Sequence, residues 1–392
     1  MVKCLENQSE AGFIQPRLRI FLSVDLIGST EYKIVHMRDP ATEPSWWPIV
    51  SMLFYTDFQR KFLENWENYS SVASQENVGA SPKFWKAMGD ELIFSKICTS
   101  QDQVVAAVQV WRRTVLDFKI NWAHPELRFK TGGWLVGTPC RNWEVAFLRA
   151  DSNEMDETLS GNSIVYNFNL LKQYYDETCL RKIDIDFIGP GMDCGFRILG
   201  FADERKFVMS ADLAYLIGSR TGPWGEKEYA SDYPALDFYY LGIQEIKGYS
   251  RSGIGYPIFW LDAFDKDAPG NSSVHAKMSD FLSGNKVINS SDVIKALDPF
   301  LKDFDGPPDR PYICSVGNDG EISEVLQTVP EEHVREINRL RELFLVAGKL
   351  ETGIKESLEA GDGAGTNPEA ATLDADVEEL RSRQRSQEAT KE

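Results

Sequence analysis

The pattern of apolar and polar positions predicts strands and helices that alternate along the chain. Residues 17–24 form a short, largely apolar run, which is typical of a central strand covered on both faces. Apolar side chains then recur every four residues from Val50 to Trp66, and Pro48 suits the first turn of a helix. The sequence therefore predicts a long amphipathic helix here and, by a similar stripe, a second helix over 103–118.

A strand, a Gly-Asp turn and a second strand are predicted from residue 83 to residue 95, which makes a β-hairpin. Because this hairpin requires antiparallel pairing and strands interleave with helices, the expected fold class is α+β, with a mixed, mostly antiparallel sheet and packed helices. The remaining elements expected are strands at 127–136, 183–188, 196–199, 206–209, 238–248 and 256–261, and helices at 164–175, from 210, at 291–304 and from 330.

The character of the chain changes after residue 262, where a polar stretch replaces the alternating pattern. The end of the chain is rich in Gly, Ala and charged residues, a composition that favours disorder. The organisation expected is a flexible N-terminus over 1–16, one domain over 17–262, a helical extension over 263–355 and a disordered tail over 356–392.

Composition narrows the possible functions. The chain has 392 residues and a net charge of −18, which argues against a nucleic-acid or anionic-membrane binder because both need a basic face. No run of eighteen apolar residues predicts a membrane-spanning helix, and the first ten residues lack a signal-peptide core. The six scattered cysteines are expected to be reduced, mostly buried thiols, and the expected compartment is the cytoplasm.

Two acids, Asp25 and Asp90, each follow a strand at the point where it meets a turn. A lone aspartate there is most often a turn or capping residue, and that alternative stays open for both. If strand 17–24 pairs with the hairpin, however, the carboxylates become neighbours, and Mg²⁺ or Mn²⁺ would relieve their repulsion. The turn at Gly28-Ser29-Thr30 can also point backbone N–H groups at phosphate oxygens. Glu91 is expected at the surface.

Five landmarks together resemble the motifs of class III nucleotidyl cyclases and occur in that family's order. They are Phe21-x-x-x-Asp25-Leu-Ile-Gly28-Ser29-Thr30, Lys86-x-x-Gly89-Asp90, Gly161-Asn-Ser-Ile-Val, Val208-Met-Ser210 and Ile246-Lys247-Gly248. The resemblance covers about two thirds of the chain. It implies a ferredoxin-like cyclase fold over 17–262, working as a homodimer with active sites at the interface.

The resemblance also implies roles for individual residues. Asp25, Asp90 and the Leu26 carbonyl would bind two divalent ions, Mn²⁺ or Mg²⁺, for attack of a ribose 3′-hydroxyl on the α-phosphorus of a nucleoside triphosphate. Backbone amides of Ile27, Gly28, Ser29 and Thr30 would hold the phosphates. Lys86 and Thr158 match base-recognition positions.

The sequence departs from the family where an arginine normally stabilises the transition state. Asn169 stands near that position, and the possible substitutes are Asn167, Lys172, Arg141 and Arg197.

Two further features, a long loop after Thr30 and an extra element over 191–197, resemble the pyrimidine cyclases of bacterial Pycsar anti-phage defence. This implies cyclic UMP or cyclic CMP as a signal to a separate effector. Phe54 and Tyr55 are candidates to stack on the base, although core positions on an aromatic-rich helix are the commoner alternative for both. An adenylate cyclase and a non-catalytic, dimeric cyclase-like module remain alternatives.

Overall fold

The computed structural model describes residues 11–37, 47–73, 78–124, 126–148, 163–176, 183–220, 236–248, 255–263, 286–303, 311–313 and 329–359. These residues fall into two compact units. Those of the first lie within 16–143 and 188–329, and those of the second within 5–15, 144–187 and 330–392.

The strands are β1 (Arg17–Ile27), β2 (Lys83–Met88), β3 (Glu91–Cys98), β4 (Arg128–Thr138), β5 (Trp143–Leu148), β6 (Ile183–Ile188), β7 (Lys206–Met209), β8 (Phe238–Gln244) and β9 (Tyr256–Asp262). The helices are α1 (Ser29–Met37), α2 (Trp47–Ala73), α3 (Gln101–Asn121), α4 (Ser163–Tyr175), α5 (Pro190–Ile198), α6 (Ala211–Gly218), α7 (Ser290–Asp303) and α8 (Glu331–Glu359), with a 3₁₀ turn at Leu199–Phe201.

Seven strands of the first unit form one sheet in the order β2-β3-β1-β4-β7-β9-β8. Strands β4 and β7 run parallel, and the other described neighbours in this sheet pair antiparallel. The expected α+β class, with a mixed, mostly antiparallel sheet and packed helices, is confirmed.

An aromatic core lies between this sheet and helices α2 and α3. Phe58 and Phe62 of α2 meet Trp111 of α3 with ring centroids 5.1 and 5.0 Å apart, and Phe62 also meets Phe94 of β3 at 5.3 Å. The four-residue spacing that predicted α2 is therefore the spacing that buries its rings. Complete burial of one such side chain contributes about 2 kcal/mol.

The other face of β1 packs against helix α5 through Trp134 of β4. Phe21 stacks on Trp134 at 5.4 Å, and Phe196 of α5 lies 5.4 Å from the same indole. The strand predicted at 196–199 is wrong, because these residues end α5 and begin the 3₁₀ turn. Pro190 in the first turn favours the helix, and Gly195 allows its close approach to the indole.

The second unit contains the paired strands β5 and β6, helices α4 and α8, and a segment near the N-terminus. Phe13 packs edge-on against Phe344 of α8 at 5.2 Å and against Phe168 of α4 at 6.3 Å. Arg341 of α8 donates to the Ile14 carbonyl at 2.8 Å. Residues 11–14 therefore pack as structure where a flexible terminus was expected, because their apolar side chains are buried.

Helix α7 comes from the expected C-terminal extension but packs within the first unit. The Tyr215 hydroxyl of α6 donates to Asp298 of α7 at 3.2 Å, and Phe300 lies edge-on to Tyr256 at 5.8 Å. Whether residues 17–262 act as one catalytic domain, with 263–355 as an appendage, stays a prediction. Residues 1–10 and 360–392 lie outside the described part of the chain.

Two of the three described cysteines are buried, as the expectation of mostly buried thiols requires. Cys98 and Cys194 are buried, and burial raises the pKa of each thiol to about 12, while Cys140 is half-buried. Within the described helices, none is both long and apolar enough to cross a membrane.

The fit of α5 on Trp134 gives a stability prediction. A Cβ atom at Gly195 would lie 2.3 Å from the Trp134 ring, so Gly195→Ala should destabilise the protein by about 2 kcal/mol through overpacking. Gly200→Ala is the matched control, because nothing lies within 4 Å of a Cβ atom there. Urea unfolding of both variants measures the difference, and equal midpoints would contradict this packing.

Candidate active site

Asp25 lies near the end of β1, between charged residues on both neighbouring strands. It pairs in register with Glu91 of β3 and with Lys130 of β4, which brings the three side chains onto one face of the sheet. The Lys130 Nζ lies 2.7 Å from Asp25 Oδ2. The Ser23 hydroxyl, on the same face of β1, donates to Glu91 Oε1 at 2.5 Å. A row of acids and one lysine therefore crosses three strands.

Glu91 is half-buried within this row, so its expected surface position is wrong. Its pKa is raised, mainly by desolvation and further by the nearby carboxylates of Asp25 and Asp90. The hydrogen bond from Ser23 and the charge of Lys130 act in the opposite direction. Glu91 was misjudged because its partner Ser23 lies 68 positions earlier and only strand pairing brings the two together.

The turn after β1 contacts the hairpin turn that carries Asp90. Gly28 has φ +89° and accepts the first hydrogen bond of α1, from the Tyr32 N–H at 2.9 Å. The Ser29 hydroxyl donates to the Asp90 carboxylate, and the Leu26 N–H donates to the Asp90 carbonyl at 3.3 Å. The two aspartate motifs, far apart in sequence, are therefore joined by direct hydrogen bonds.

Helix α2 contributes one of its two predicted site residues to this region. The Tyr55 hydroxyl donates to the carbonyl of Gly89, and the pKa of Tyr55 is raised by burial and by the charge of Asp90. Phe54, in contrast, is fully buried and packs on Phe129 at 5.9 Å. Its predicted stacking on a base is therefore wrong, because its ring has no exposed surface.

Lys86 lies at an irregularity of strand β2. The register of β2 against β3 shifts between Phe84 and Lys86, leaving Trp85 as the extra residue of a bulge. The Trp85 ring packs edge-on against Phe21 at 5.1 Å, and the Lys86 Nζ lies 4.0 Å from the Trp85 ring centroid. Lys86 is thus held over an indole, and its base-recognition role stays a prediction.

The roles of the other predicted site residues are not tested by the structure. Asn169 lies on α4 in the second unit, and its catalytic role stays a prediction. Thr158 lies outside the described residues. Of the substitutes considered, Asn167 donates to the Ala146 carbonyl at 3.2 Å, and Arg197 donates to the Lys247 carbonyl.

A cavity of about 1010 Å³ opens beside the two aspartates. It is lined by Asp25, Leu26, Ile27, Gly28, Ser29, Thr30, Glu31, Asp90, Arg128, Lys130, Ala202, Asp203, Glu204 and Arg205. All six residues from the first predicted motif, Asp25 to Thr30, therefore face the same space as Asp90.

Three cations in the cavity wall, Arg128, Lys130 and Arg205, were missed from the sequence. Arg205 is fixed by Asp262, whose Oδ2 accepts from the Arg205 Nε at 2.9 Å and the Nη2 at 2.8 Å. Arg128 and Lys130 are two residues apart in β4, so their side chains lie on the same face of the strand. This spacing was the signal that could have identified them as neighbouring cations. Arg205 had no such signal, because it lies just before β7.

The donors in the cavity suit a divalent cation that shares its ligands with phosphate. The described residues contain no cluster of three His, Cys, Asp or Glu side chains that could hold a metal by themselves. Mg²⁺, however, is usually bound by one or two carboxylates together with substrate phosphates and water. Asp25, Asp90 and the Leu26 carbonyl match that donor set.

Comparison with known proteins gives no family assignment. Neither a family model nor a curated protein matches the chain. Solved structures with similarity include the adenylyl cyclase CyaB from P. aeruginosa, 13% identical with a TM-score of 0.39 over 66% of this chain and 97% of that one. The guanylyl cyclase Cya2 is 11% identical, with a TM-score of 0.35 over 65% and 96%.

A third similar structure is the guanylate cyclase domain of RhGC from Catenaria anguillulae in complex with GTP. It is 10% identical, with a TM-score of 0.33 over 63% of this chain and 98% of that one. Similarity at this level assigns no activity to the chain.

Gly28 provides a test of the turn that joins the two motifs. Gly28→Ala should destabilise the protein by about 1 kcal/mol or more, because its positive φ disfavours a side chain. In addition, the new Cβ atom would lie 3.1 Å from the Glu126 carbonyl oxygen. Gly137→Ala, where nothing lies within 4 Å, is the control, and thermal or urea unfolding compares the two. Equal stability would contradict the geometry of this turn.

Proposed function

We propose that the protein is a metal-dependent nucleotidyl cyclase, which converts a nucleoside triphosphate to a cyclic nucleotide and pyrophosphate. One observation carries this proposal: Asp25 and Asp90 line the same cavity as the glycine turn at Gly28-Ser29-Thr30. Carboxylates for cations and a helix N-terminus for phosphate are the two parts that a triphosphate site needs.

Different residues of the cavity have different roles in the proposed reaction. Asp25, Asp90 and the Leu26 carbonyl would hold Mn²⁺ or Mg²⁺, and the bound ion would neutralise charge and lower the pKa of the ribose 3′-hydroxyl. The N–H groups of Ser29 and Thr30, at the start of α1, face the phosphate chain. Arg128 and Arg205, which also line the cavity, add positive charge. Attack on the α-phosphorus then expels pyrophosphate.

We further propose UTP as the substrate and cyclic UMP as an antiviral second messenger, made in the cytoplasm by a homodimer for a separate effector. The base assignment rests on the sequence resemblance to pyrimidine cyclases. Cytidylate cyclase, adenylate cyclase and a non-catalytic dimeric binding module are the alternatives. In the dimer, Lys86 and Thr158 recognise the base, while Asn169 takes the place of the missing arginine.

Replacement of the aspartates tests the reaction. Asp25→Asn and Asp90→Asn should each lower turnover about 100-fold or more, since each removes charge that stabilises the transition state. Purified protein is incubated with Mn²⁺ and each of UTP, CTP, ATP and GTP, and products are identified by mass spectrometry. Asp193→Asn, an exposed acid on α5, is the control and should retain full activity.

The product pattern separates the alternatives. Cyclic UMP as the main product supports the full proposal. Cyclic CMP or cyclic AMP alone would support a nucleotidyl cyclase but refute UTP as its substrate. Triphosphate binding without turnover would favour the binding module. Full activity in either aspartate variant would refute the metal assignment.

Lys86 provides a separate test of base recognition. Lys86→Met should raise the KM for the preferred nucleotide about tenfold, as expected when one charge-assisted hydrogen bond is lost, while Mn²⁺ affinity stays unchanged. Lys83→Met, on the same strand and exposed, is the matched control. Steady-state kinetics with all four nucleotides measure both effects. Unchanged KM values and an unchanged base preference would refute a role for Lys86 in base recognition.

A further inference from the structure

Lys130 has a position that the proposed reaction does not yet explain. Its ammonium group lies 2.7 Å from Asp25 Oδ2, one of the oxygens that would bind a divalent cation. The contact is set by backbone register, because Asp25 and Lys130 are directly paired residues of β1 and β4. The lysine is therefore directed to this carboxylate by the sheet itself.

A metal ion bound to Asp25 would compete with the Lys130 ammonium group for the same carboxylate oxygen. A doubly charged ion at Oδ2 would lie within a few ångströms of the ammonium group, where the repulsion of like charges is strong. Metal binding must therefore displace Nζ from its present contact. The lysine side chain can move, because its flexible four-carbon stem is anchored only through β4 and is 35% exposed, compared with 19% for Asp25.

A displaced ammonium group would still face the cavity, because Lys130 is one of its lining residues. Lys130 lines it together with the turn at Gly28-Ser29-Thr30, where the phosphates are expected, and with Arg128, two residues away on the same face of β4. The other two cations of the cavity wall are already ion-paired, Arg205 with Asp262 and Arg128 with Glu204 at 3.5 Å. Lys130 differs from these two arginines because its partner, Asp25, is the carboxylate that would bind the metal ion.

We propose that Lys130 is an exchangeable counter-ion: it neutralises Asp25 in the empty site, is displaced by the divalent ion, and then binds a phosphate of the substrate. The exchange makes metal and triphosphate binding cooperative, since the ion releases the cation that the phosphate chain needs. This inference rests on the proposed function for the identity of Asp25 as a metal ligand.

Two binding measurements test the exchange without relying on turnover. Lys130→Met should raise the affinity for Mn²⁺ alone about threefold, because the competitor for Asp25 is removed. The same variant should weaken binding of inorganic tripolyphosphate at saturating Mn²⁺ about tenfold, since one charged hydrogen bond is lost. Both affinities are measured by calorimetry on the full-length protein. Opposite shifts are the signature, because a merely structural role would weaken both.

Matched variants separate this exchange from general electrostatics. Lys206→Met removes a lysine that pairs with Asp203, not Asp25, and should change neither affinity in this way. Lys130→Arg should restore both values towards those of the unmodified protein. In an Asp25→Asn background, Lys130→Met should no longer raise Mn²⁺ affinity, which assigns the competition to this pair.

The outcomes distinguish this inference from the proposed function. If Mn²⁺ binds in an Asp25-dependent manner but Lys130→Met raises no affinity, or leaves tripolyphosphate binding unchanged, the exchange is refuted and the cyclase proposal is unaffected. If both opposite shifts occur but no nucleotide is cyclised, the exchange stands and the cyclase is refuted. Absence of Asp25-dependent Mn²⁺ binding would overturn both.

Discussion

The repulsion among three carboxylates at one end of the central strand is the constraint that organises this site. Asp25 and Glu91 are paired across β1 and β3, and Asp90 immediately precedes Glu91. Each is compensated by a different partner: Lys130 for Asp25, Ser29 for Asp90 and Ser23 for Glu91. Removing one compensating group would leave a partly buried carboxylate without a partner and next to other carboxylates. Their repulsion would destabilise the fold, because solvent screens charges less at a partly buried site.

The position of the site follows from how β1 is covered. Leu22 and Val24 face the core between the sheet and helices α2 and α3, whereas Phe21, Ser23 and Asp25 lie on the opposite face. Phe21 is covered on that face by Trp134 and helix α5, but Asp25, four residues later, opens onto the cavity. The strand therefore changes from a buried element to part of the cavity wall within a single run of residues.

Local patterns predicted what local forces determine. The four-residue spacing of apolar side chains predicted α2, and Gly28 predicted the turn after β1. The Gly-Asp pair predicted the hairpin of β2 and β3. The contact between Asp25 and Lys130 could not be predicted, because the register between β1 and β4 depends on the whole sheet. Phe54 was wrongly expected to stack on the base for the same reason. The four-residue spacing predicted its position on a helix face, but not that Phe129 would cover its ring.

The strongly acidic chain limits how a triphosphate can approach this cavity. With a net charge of −18, the overall field repels a polyanion, although physiological salt screens charges beyond about 8 Å. Attraction must then come from groups inside the cavity, and the cations there are largely occupied by Asp25, Glu204 and Asp262. A nucleotide that arrives already complexed with a divalent ion has less charge to be repelled. In the proposed exchange the same ion would replace Lys130 at Asp25 and free its ammonium group, so the acidic surface would favour the complexed substrate over the free polyanion.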